Sequence, residues 1–211
     1  MKIGIIGPGN MGMGLARLWA AEDNEIMLSY SRSNDKLEAL AEELGPNGSW
    51  GTAEEAAKFG DVVVLATPWW ATQQALAATN GALEGKVVID VTNPLKEDFS
   101  GLEVGKNDSG GEVVQRTSGA KVVKAYNSIF AKTLPAEAHD YGHHHPALFY
   151  AGDDADAKEI VAGLIDQTGF RPVDAGPLRS ARYLEPLVML DVELGRTRKL
   201  KPDWMVTLIE K

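Results

Sequence analysis

A glycine-rich segment near the start of the chain has the spacing of a nucleotide-binding turn. Its sequence is GPGNMG, which follows a short apolar run and precedes an amphipathic stretch. Gly7 permits a tight turn, Gly9 lets the backbone approach a pyrophosphate, and Gly12 lets a helix pack close to a strand. The amides and dipole at the start of that helix attract anions. The segment therefore predicts a dinucleotide pyrophosphate bound by Gly7, Pro8, Gly9, Asn10, Met11 and Gly12.

The stretch SYSRSNDK, after the second apolar run, lacks the acidic residue that usually binds the ribose of NAD. A carboxylate there repels a 2′-phosphate, whereas arginine neutralises one. Arg32 stands there instead, with hydroxyl donors at Ser31 and Ser33 and with Lys36 one helical step further on. This group predicts NADP(H). The alternative is that Ser33 or Asn34 caps the next helix and Arg32 is solvated, which is compatible with phosphate binding.

Small polar residues follow three later apolar runs, at the points where each predicted strand ends. Ligands of open parallel sheets lie outside the carboxyl ends of the strands, so we expect these residues near the nicotinamide or the substrate. The alternative is ordinary turn chemistry, with the tryptophans in the core or at an interface. Asn93 and Asn127 are the candidates for positioning the nicotinamide or the acceptor. The three sets are Thr67, Pro68 and Trp69; Asn93, Pro94 and Leu95; and Tyr126, Asn127 and Ser128.

These sets contain no acid, lysine or histidine. Reduction of a ketone usually requires a proton donor beside the hydride acceptor. The sequence therefore favours hydride exchange with a second redox cofactor, and it names no certain catalytic residue.

Three adjacent histidines, at positions 143 to 145, raise the question of a metal site. Adjacent imidazoles diverge in direction, and no paired carboxylate accompanies them, so a polar surface loop is favoured over a metal site. We predict no metal and assign the tract no role.

Composition narrows the class of protein. The chain has 211 residues, a formal charge of -9 and no cysteine. The absence of cysteine excludes thiol chemistry. The negative net charge disfavours nucleic acid and anionic membranes as partners. The first apolar run is too short for a signal or membrane segment. We expect a cytoplasmic protein with a small-molecule redox acceptor as its partner.

The elements that must position these residues follow an α/β pattern. Short apolar runs alternate with amphipathic stretches along the whole chain, as in parallel-sheet proteins. We predict a Rossmann-type, doubly wound and mostly parallel sheet with a small C-terminal α/β extension. The predicted domains are an NADP-binding Rossmann domain at 1–150 and an extension at 151–211 that packs on the sheet and contributes a dimer contact.

The chain resembles the NADP oxidoreductases that depend on the deazaflavin coenzyme F-420 (F420), with their bacterial relatives and the cytosolic domain of the six-transmembrane ferric reductases. The motifs that carry the resemblance span nearly the whole chain. GPGNMG is shared with many dehydrogenases, whereas DAGPLRSARYLEPL is more particular to this group. The other motifs are SYSRSNDK, VLATPW, DVTNPL, VVKAYNSI and GDDADAK.

The resemblance implies a hydride transfer between NADP(H) and F420 or a flavin-like acceptor. It implies that Ser31, Arg32 and Lys36 bind the 2′-phosphate, and that the nicotinamide lies near Thr67, Pro68 and Asn127. It further implies a homodimer, with the C-terminal helix that carries Arg182 and Glu185 packed against the sheet.

Two departures make the chain more similar to the bacterial relatives, whose acceptor is not established. The glycine turn is one residue shorter than in the archaeal enzymes, with Pro8 in place of a glycine-threonine pair, and Asn127 replaces a histidine. Two alternatives stay open. One is an NADPH-dependent reductase of a small keto or imino acid, although such reductases add a long helical domain. The other is a non-catalytic NADPH-binding redox sensor.

Overall fold

The chain forms a mostly parallel sheet with helices on both faces. The computed structural model describes residues 1–31, 33–135, 145–199, 201 and 204–209. The strands are β1 (Lys2–Ile6), β2 (Glu25–Ser29), β3 (Gly48–Gly51), β4 (Val62–Leu65), β5 (Val87–Asp90), β6 (Lys121–Ala125), β7 (Ala147–Gly152) and β8 (Arg171–Asp174). The helices are α1 (Asn10–Ala21), α2 (Asn34–Glu43), α3 (Ala53–Phe59), α4 (Trp69–Ala78), α5 (Gly110–Ser118), α6 (Ala155–Gln167) and α7 (Ala181–Arg198).

The strand order is β3-β2-β1-β4-β5-β6-β7-β8. The first six strands of the chain pair in parallel, and β7 is antiparallel to β6 but parallel to β8. The order reverses between β1 and β4, which is where an open α/β sheet leaves a crevice for its ligand. The predicted Rossmann-type, doubly wound and mostly parallel sheet is confirmed.

The sheet is buried on both faces because its strands carry apolar residues in both directions. Val62 and Val64 belong to a core that contains residues of α1, α2 and α6. Val63 and Leu65 face the opposite core, which contains residues of α3, α4 and α5. All four are at most 1 % exposed. Such two-sided burial explains why the strands appear in the sequence as continuous apolar runs rather than alternating ones.

One strand was not predicted from the sequence. The edge strand β3, with the sequence GSWG, pairs in parallel with β2. Two of its four residues are glycines, so it has neither the length nor the β-branched content by which strands are recognised. A Cβ at Gly48 would lie 2.2 Å from the Ala41 carbonyl oxygen, which requires glycine there. Helix α3 begins next to this strand with a capping box, in which Thr52 and Glu55 form reciprocal bonds.

The C-terminal part of the chain continues the same sheet. Strand β7 spans Ala147–Gly152, so the predicted domain boundary after residue 150 falls inside a strand, and the division itself stays a prediction. Helix α7 continues through Pro186, packs on α5, and contacts β6 through the ion pair between Glu185 and Lys124. Among the described residues, no helix has the length and apolarity needed to cross a membrane.

Candidate functional site

The glycine turn between β1 and α1 is closed on the protein side and open on the solvent side. Gly7 has φ of +97°, and a Cβ there would lie 2.9 Å from the Ala66 carbonyl. A Cβ at Gly12 would lie 2.4 Å from the Gly7 carbonyl oxygen. A Cβ at Gly9 would meet no atom within 4 Å. The packing of the turn thus requires glycine at Gly7 and at Gly12, whereas the space beside Gly9 is free.

The first turn of α1 offers amide groups to that space. Gly9 is the N-cap of the helix, no side chain caps it, and the first turn carries no acidic residue. The first amides of a helix have no partner within the helix, and its dipole attracts negative charge there. An uncapped helix that starts at Asn10 beside an open glycine therefore fits a phosphate group.

A cavity of about 380 Å³ extends from this turn toward the end of β2. Its lining includes Ser31 and Lys36, two of the residues for which a bond to the 2′-phosphate stays a prediction. Ser33 instead caps α2, where its hydroxyl accepts from the Lys36 amide at 3.3 Å. Arg32 lies outside the described residues. The described residues that line it are Gly7, Pro8, Gly9, Tyr30, Ser31, Lys36, Ala66, Thr67, Pro68, Trp70 and Ala71.

A second cavity, of about 360 Å³, lies at the carboxyl ends of β4, β5 and β6. It shares the glycine turn and the Thr67–Pro68 segment with the first cavity, so the two form one continuous groove. The strand-end residues Thr67, Pro68, Trp69, Asn93 and Asn127 all line it, whereas Pro94 and Ser128 do not. The described residues that line it are Gly9, Asn10, Met11, Ala66, Thr67, Pro68, Trp69, Trp70, Val91, Thr92, Asn93, Leu95, Phe99, Tyr126, Asn127 and Ile129.

Two asparagines form the polar floor of this second cavity. The Asn93 Nδ2 donates to the Asn127 carbonyl at 2.8 Å, and the Asn127 Nδ2 donates to the Asn93 Oδ1 at 3.0 Å. The Asn127 Nδ2 also donates to the Leu184 carbonyl at 2.9 Å. Its Oδ1 is buried and has no hydrogen-bond partner among the described residues. A buried acceptor without a partner is costly, so this oxygen is suited to a donor on a bound ligand.

The described lining of the second cavity offers no group suited to donate a proton. None of the described residues that line it is an acid, a lysine or a histidine. The Tyr126 hydroxyl lies 3.3 Å from the Leu164 carbonyl and 3.2 Å from the Thr168 hydroxyl, and burial raises its pKa. This phenol is therefore already engaged in the core.

A structured loop forms one wall of the cavity. Leu95 pairs with Leu102 in an antiparallel bridge, and Phe99 at the loop tip is 44 % exposed. Arg196 of α7 donates to the Asp98 and Phe99 carbonyls at 3.3 and 3.2 Å. Leu95 is the one residue of this loop predicted from the sequence, because Phe99 lies inside a polar, glycine-rich stretch.

A buried ionic cluster, which was not predicted from the sequence, lies next to the asparagines. The Lys124 ammonium lies 2.7 Å from the Asp90 Oδ2 and 2.8 Å from the Glu185 Oε1, and all three side chains are at most 1 % exposed. Burial lowers the pKa of Lys124, but the two carboxylates outweigh it and raise the pKa above its ordinary value. Acid and lysine thus do occur near these strand ends, as an internal ion cluster. A lysine inside the apolar run VVKAY is the sequence signal.

Metal ligands do not cluster in the described part of the chain, where no group of three or more His, Asp or Glu side chains is placed to hold an ion. Of the histidine tract, His143 and His144 lie outside the described residues. His145 lies beside Arg171 and Phe170 at a small surface cavity, apart from the groove.

The fold agrees with the comparisons with known proteins. The family profile described as NADP oxidoreductase coenzyme F420-dependent matches residues 2–94. The F420-dependent NADP reductase of Methanocaldococcus jannaschii is 30% identical over 222 residues, which cover 95% of both chains. That of Methanothermobacter marburgensis is 28% identical over 224 residues, again 95% of both. A crystal structure of a candidate F420-dependent NADP reductase from Arthrobacter sp. FB24 superposes with a TM-score of 0.89 at 27% identity over 100% of both chains.

The fold, the glycine turn and these similarities define an NADP-dependent oxidoreductase. The chain belongs to the coenzyme F420-dependent NADP oxidoreductase family.

Proposed function

We propose that the protein transfers hydride between NADP(H) and a deazaflavin or flavin-like acceptor, with F420 as the leading acceptor. The observation that carries the proposal is the second cavity, whose described lining combines apolar and aromatic side chains with no acid, lysine or histidine. Transfer of hydride between two redox cofactors requires stacking and exclusion of water more than proton transfer from the protein. The names of the relatives support F420 as the acceptor.

The residues of the groove fit an NADP(H) molecule along its length. The open Gly9 and the uncapped start of α1 suit the pyrophosphate. Ser31 and Lys36 would bind the 2′-phosphate, with Arg32 predicted to join them. The unpartnered Asn127 Oδ1 would accept a hydrogen bond from the nicotinamide carboxamide. When bound, the cofactor supplies or accepts a hydride at its nicotinamide ring.

The chain's own residues orient the rings and exclude water. The Thr72 hydroxyl donates to the Pro68 carbonyl at 3.1 Å, so the Thr67 hydroxyl, 3.0 Å away, donates to Thr72. These bonds fix the segment between β4 and α4 that both cavities share. Trp69, Trp70 and Phe99 provide aromatic surface around the space left for the acceptor, and such surface suits a planar ring.

Turnover with defined acceptors tests the proposal. The protein would be mixed with NADPH and F420, with NADPH and FMN, and with NADPH and a small keto or imino acid, while the nicotinamide absorbance is followed. Oxidation of NADPH with F420 or FMN supports the proposal, and the faster of the two identifies the acceptor class. Oxidation with the keto or imino acid alone would overturn it. Binding of NADPH without turnover on any acceptor would instead favour the redox sensor.

A further inference from the structure

The buried cluster of Asp90, Lys124 and Glu185 joins three parts of the fold beneath the second cavity. Asp90 and Lys124 are register partners on the adjacent strands β5 and β6. Glu185 lies on α7 and accepts from the Gly110 and Gly111 amides, at the start of α5, at 2.8 and 3.0 Å. One ammonium and two carboxylates thus share a site with the amino end of a helix, whose dipole offsets the surplus negative charge.

The cluster is connected to both asparagines of the cavity floor. The Lys124 ammonium donates to the Thr92 carbonyl at 2.7 Å, and the Asp90 Oδ1 accepts from the Thr92 amide at 2.9 Å and from its hydroxyl at 2.7 Å. These bonds fix the backbone immediately before Asn93. On the other side, Leu184 precedes Glu185, and its carbonyl accepts the hydrogen bond from Asn127.

Stability alone does not account for such a cluster. Buried ion pairs cost desolvation energy, and well-packed apolar residues in their place are often as stable or more stable. The charged groups form short hydrogen bonds of defined geometry, and each of these bonds holds a particular backbone group in place. They include the Thr92 backbone, which directly precedes Asn93, and Glu185 directly follows Leu184, whose carbonyl accepts from Asn127.

We propose that Asp90, Lys124 and Glu185 are positioning residues for the nicotinamide end of the cofactor, acting through Thr92 on Asn93 and through the first turn of α7 on Asn127. The proposal rests on the proposed function, since it assumes that the second cavity receives the nicotinamide. It assigns α7 a direct part in shaping that cavity. It also predicts that damage to the cluster leaves the adenosine end of the groove unaffected.

Two conservative variants test the proposal, Glu185→Gln and Asp90→Asn, each of which removes one carboxylate charge and keeps the side-chain size. The matched control is Arg182→Gln, which breaks another ion pair between α5 and α7, the one between Arg182 and Glu112, without touching either asparagine. Calorimetry would measure the affinities for 2′,5′-ADP, which occupies only the adenosine end, and for NADPH. The fluorescence of bound NADPH reports how the nicotinamide ring is seated, independently of any acceptor.

We expect both variants to bind 2′,5′-ADP within about twofold of the wild type, while the NADPH affinity relative to 2′,5′-ADP falls about fivefold or more and the nicotinamide fluorescence changes. The control should change neither ratio nor spectrum. Unchanged ratios and spectra in both variants would overturn the inference. Failure of both variants to fold would also overturn it, because the cluster would then be a requirement of the fold itself. A wild type that binds no NADPH would overturn the proposed function instead.

Discussion

Asn93 and Asn127 hold each other through two hydrogen bonds, one from the Asn93 side chain to the Asn127 backbone and one between the two side chains. The pair bridges the ends of β5 and β6. It uses every donor of the Asn127 amide, to Asn93 and to Leu184, and leaves its Oδ1 buried without a partner among the described residues. The two residues, which both line the second cavity, therefore hold one buried acceptor in a fixed position.

Replacement of Asn127 should affect the nicotinamide end of the cofactor selectively. Asn127→Leu keeps a similar volume but removes the acceptor and the bonds to Asn93 and Leu184. We expect kcat/KM for NADPH oxidation to fall about tenfold or more, since a lost hydrogen bond in a buried site costs about 1–3 kcal/mol. Steady-state kinetics measures this loss, and 2′,5′-ADP affinity is the control. A parallel loss of 2′,5′-ADP affinity would contradict the assignment.

Lys36 should discriminate NADPH from NADH. Its side chain is exposed at the 380 Å³ cavity and makes no ion pair with the described residues. Lys36→Ala should weaken NADPH about tenfold or more and NADH little, because a charge-assisted bond to phosphate contributes about 1.5–3 kcal/mol. Arg32→Ala should act in the same direction.

Titration of both cofactors measures the discrimination by Lys36. Lys58→Ala is the control, since Lys58 is an exposed lysine of α3 that lines neither cavity of the groove. Equal losses of affinity for NADPH and NADH would contradict a 2′-phosphate site and would support a helix cap as the role of this segment.

Substitution of Gly9 should affect NADPH binding, whereas substitution of Gly12 should affect the stability of the fold. Gly12→Ala places a Cβ 2.4 Å from the Gly7 carbonyl oxygen, whereas Gly9→Ala meets nothing within 4 Å. We expect Gly12→Ala to lower the free energy of unfolding by about 1–3 kcal/mol, as overpacking does, and Gly9→Ala to change it little. Gly9→Ala should nevertheless weaken NADPH binding about tenfold, because its methyl group occupies the space left for the pyrophosphate. Denaturant unfolding measures the stability of both variants, and titration measures their affinity for NADPH. Strong NADPH binding by Gly9→Ala would contradict the prediction for Gly9.

The strand ends could be predicted from the sequence because they depend on local pattern. Apolar runs give the strands, and parallel strands bring their ends to one edge, so Thr67, Asn93 and Asn127 were expected together and line one cavity. The cluster of Asp90, Lys124 and Glu185 was not expected, because its contacts join residues far apart in the chain. Asp90 and Lys124 are 34 residues apart, and Gly110 and Glu185 are 75 apart. Such pairings depend on the register of the strands and on where α7 docks, which local pattern does not define.

Asp191 should make the stability of the protein depend on pH. This residue of α7 is 3 % exposed, its Oδ1 has no hydrogen-bond partner in the described part of the chain, and burial raises its pKa to about 6. Between about pH 4 and 6 the folded state then binds more protons than the unfolded state, so stability falls as the pH rises through that window. With a pKa raised by about two units, the loss at neutral pH amounts to about 1–3 kcal/mol.

Asp191→Asn should lack this dependence. The comparison is between denaturant unfolding curves of wild type and variant from pH 4 to pH 8, in which titrations of all other groups cancel. The stability of the wild type relative to Asp191→Asn should decline from pH 4 to pH 6 and stay level above that. A constant difference across the range would show that Asp191 titrates normally.

Helix α7 should contribute to the homodimer that we propose. Tyr183, Leu187, Leu190 and Leu194 follow one another at helical spacing, and Tyr183 and Leu190 are 78 % and 49 % exposed. An apolar row of this kind on a solvated helix is typical of a protein interface. Leu190→Glu should shift the protein toward a monomer in sedimentation velocity, because it places a charge in the centre of the contact. Gln74→Glu, which adds the same charge on the exposed face of α4, should leave the oligomeric state unchanged. A wild type that sediments as a monomer at all concentrations would contradict the proposal, and so would an equal response to both substitutions.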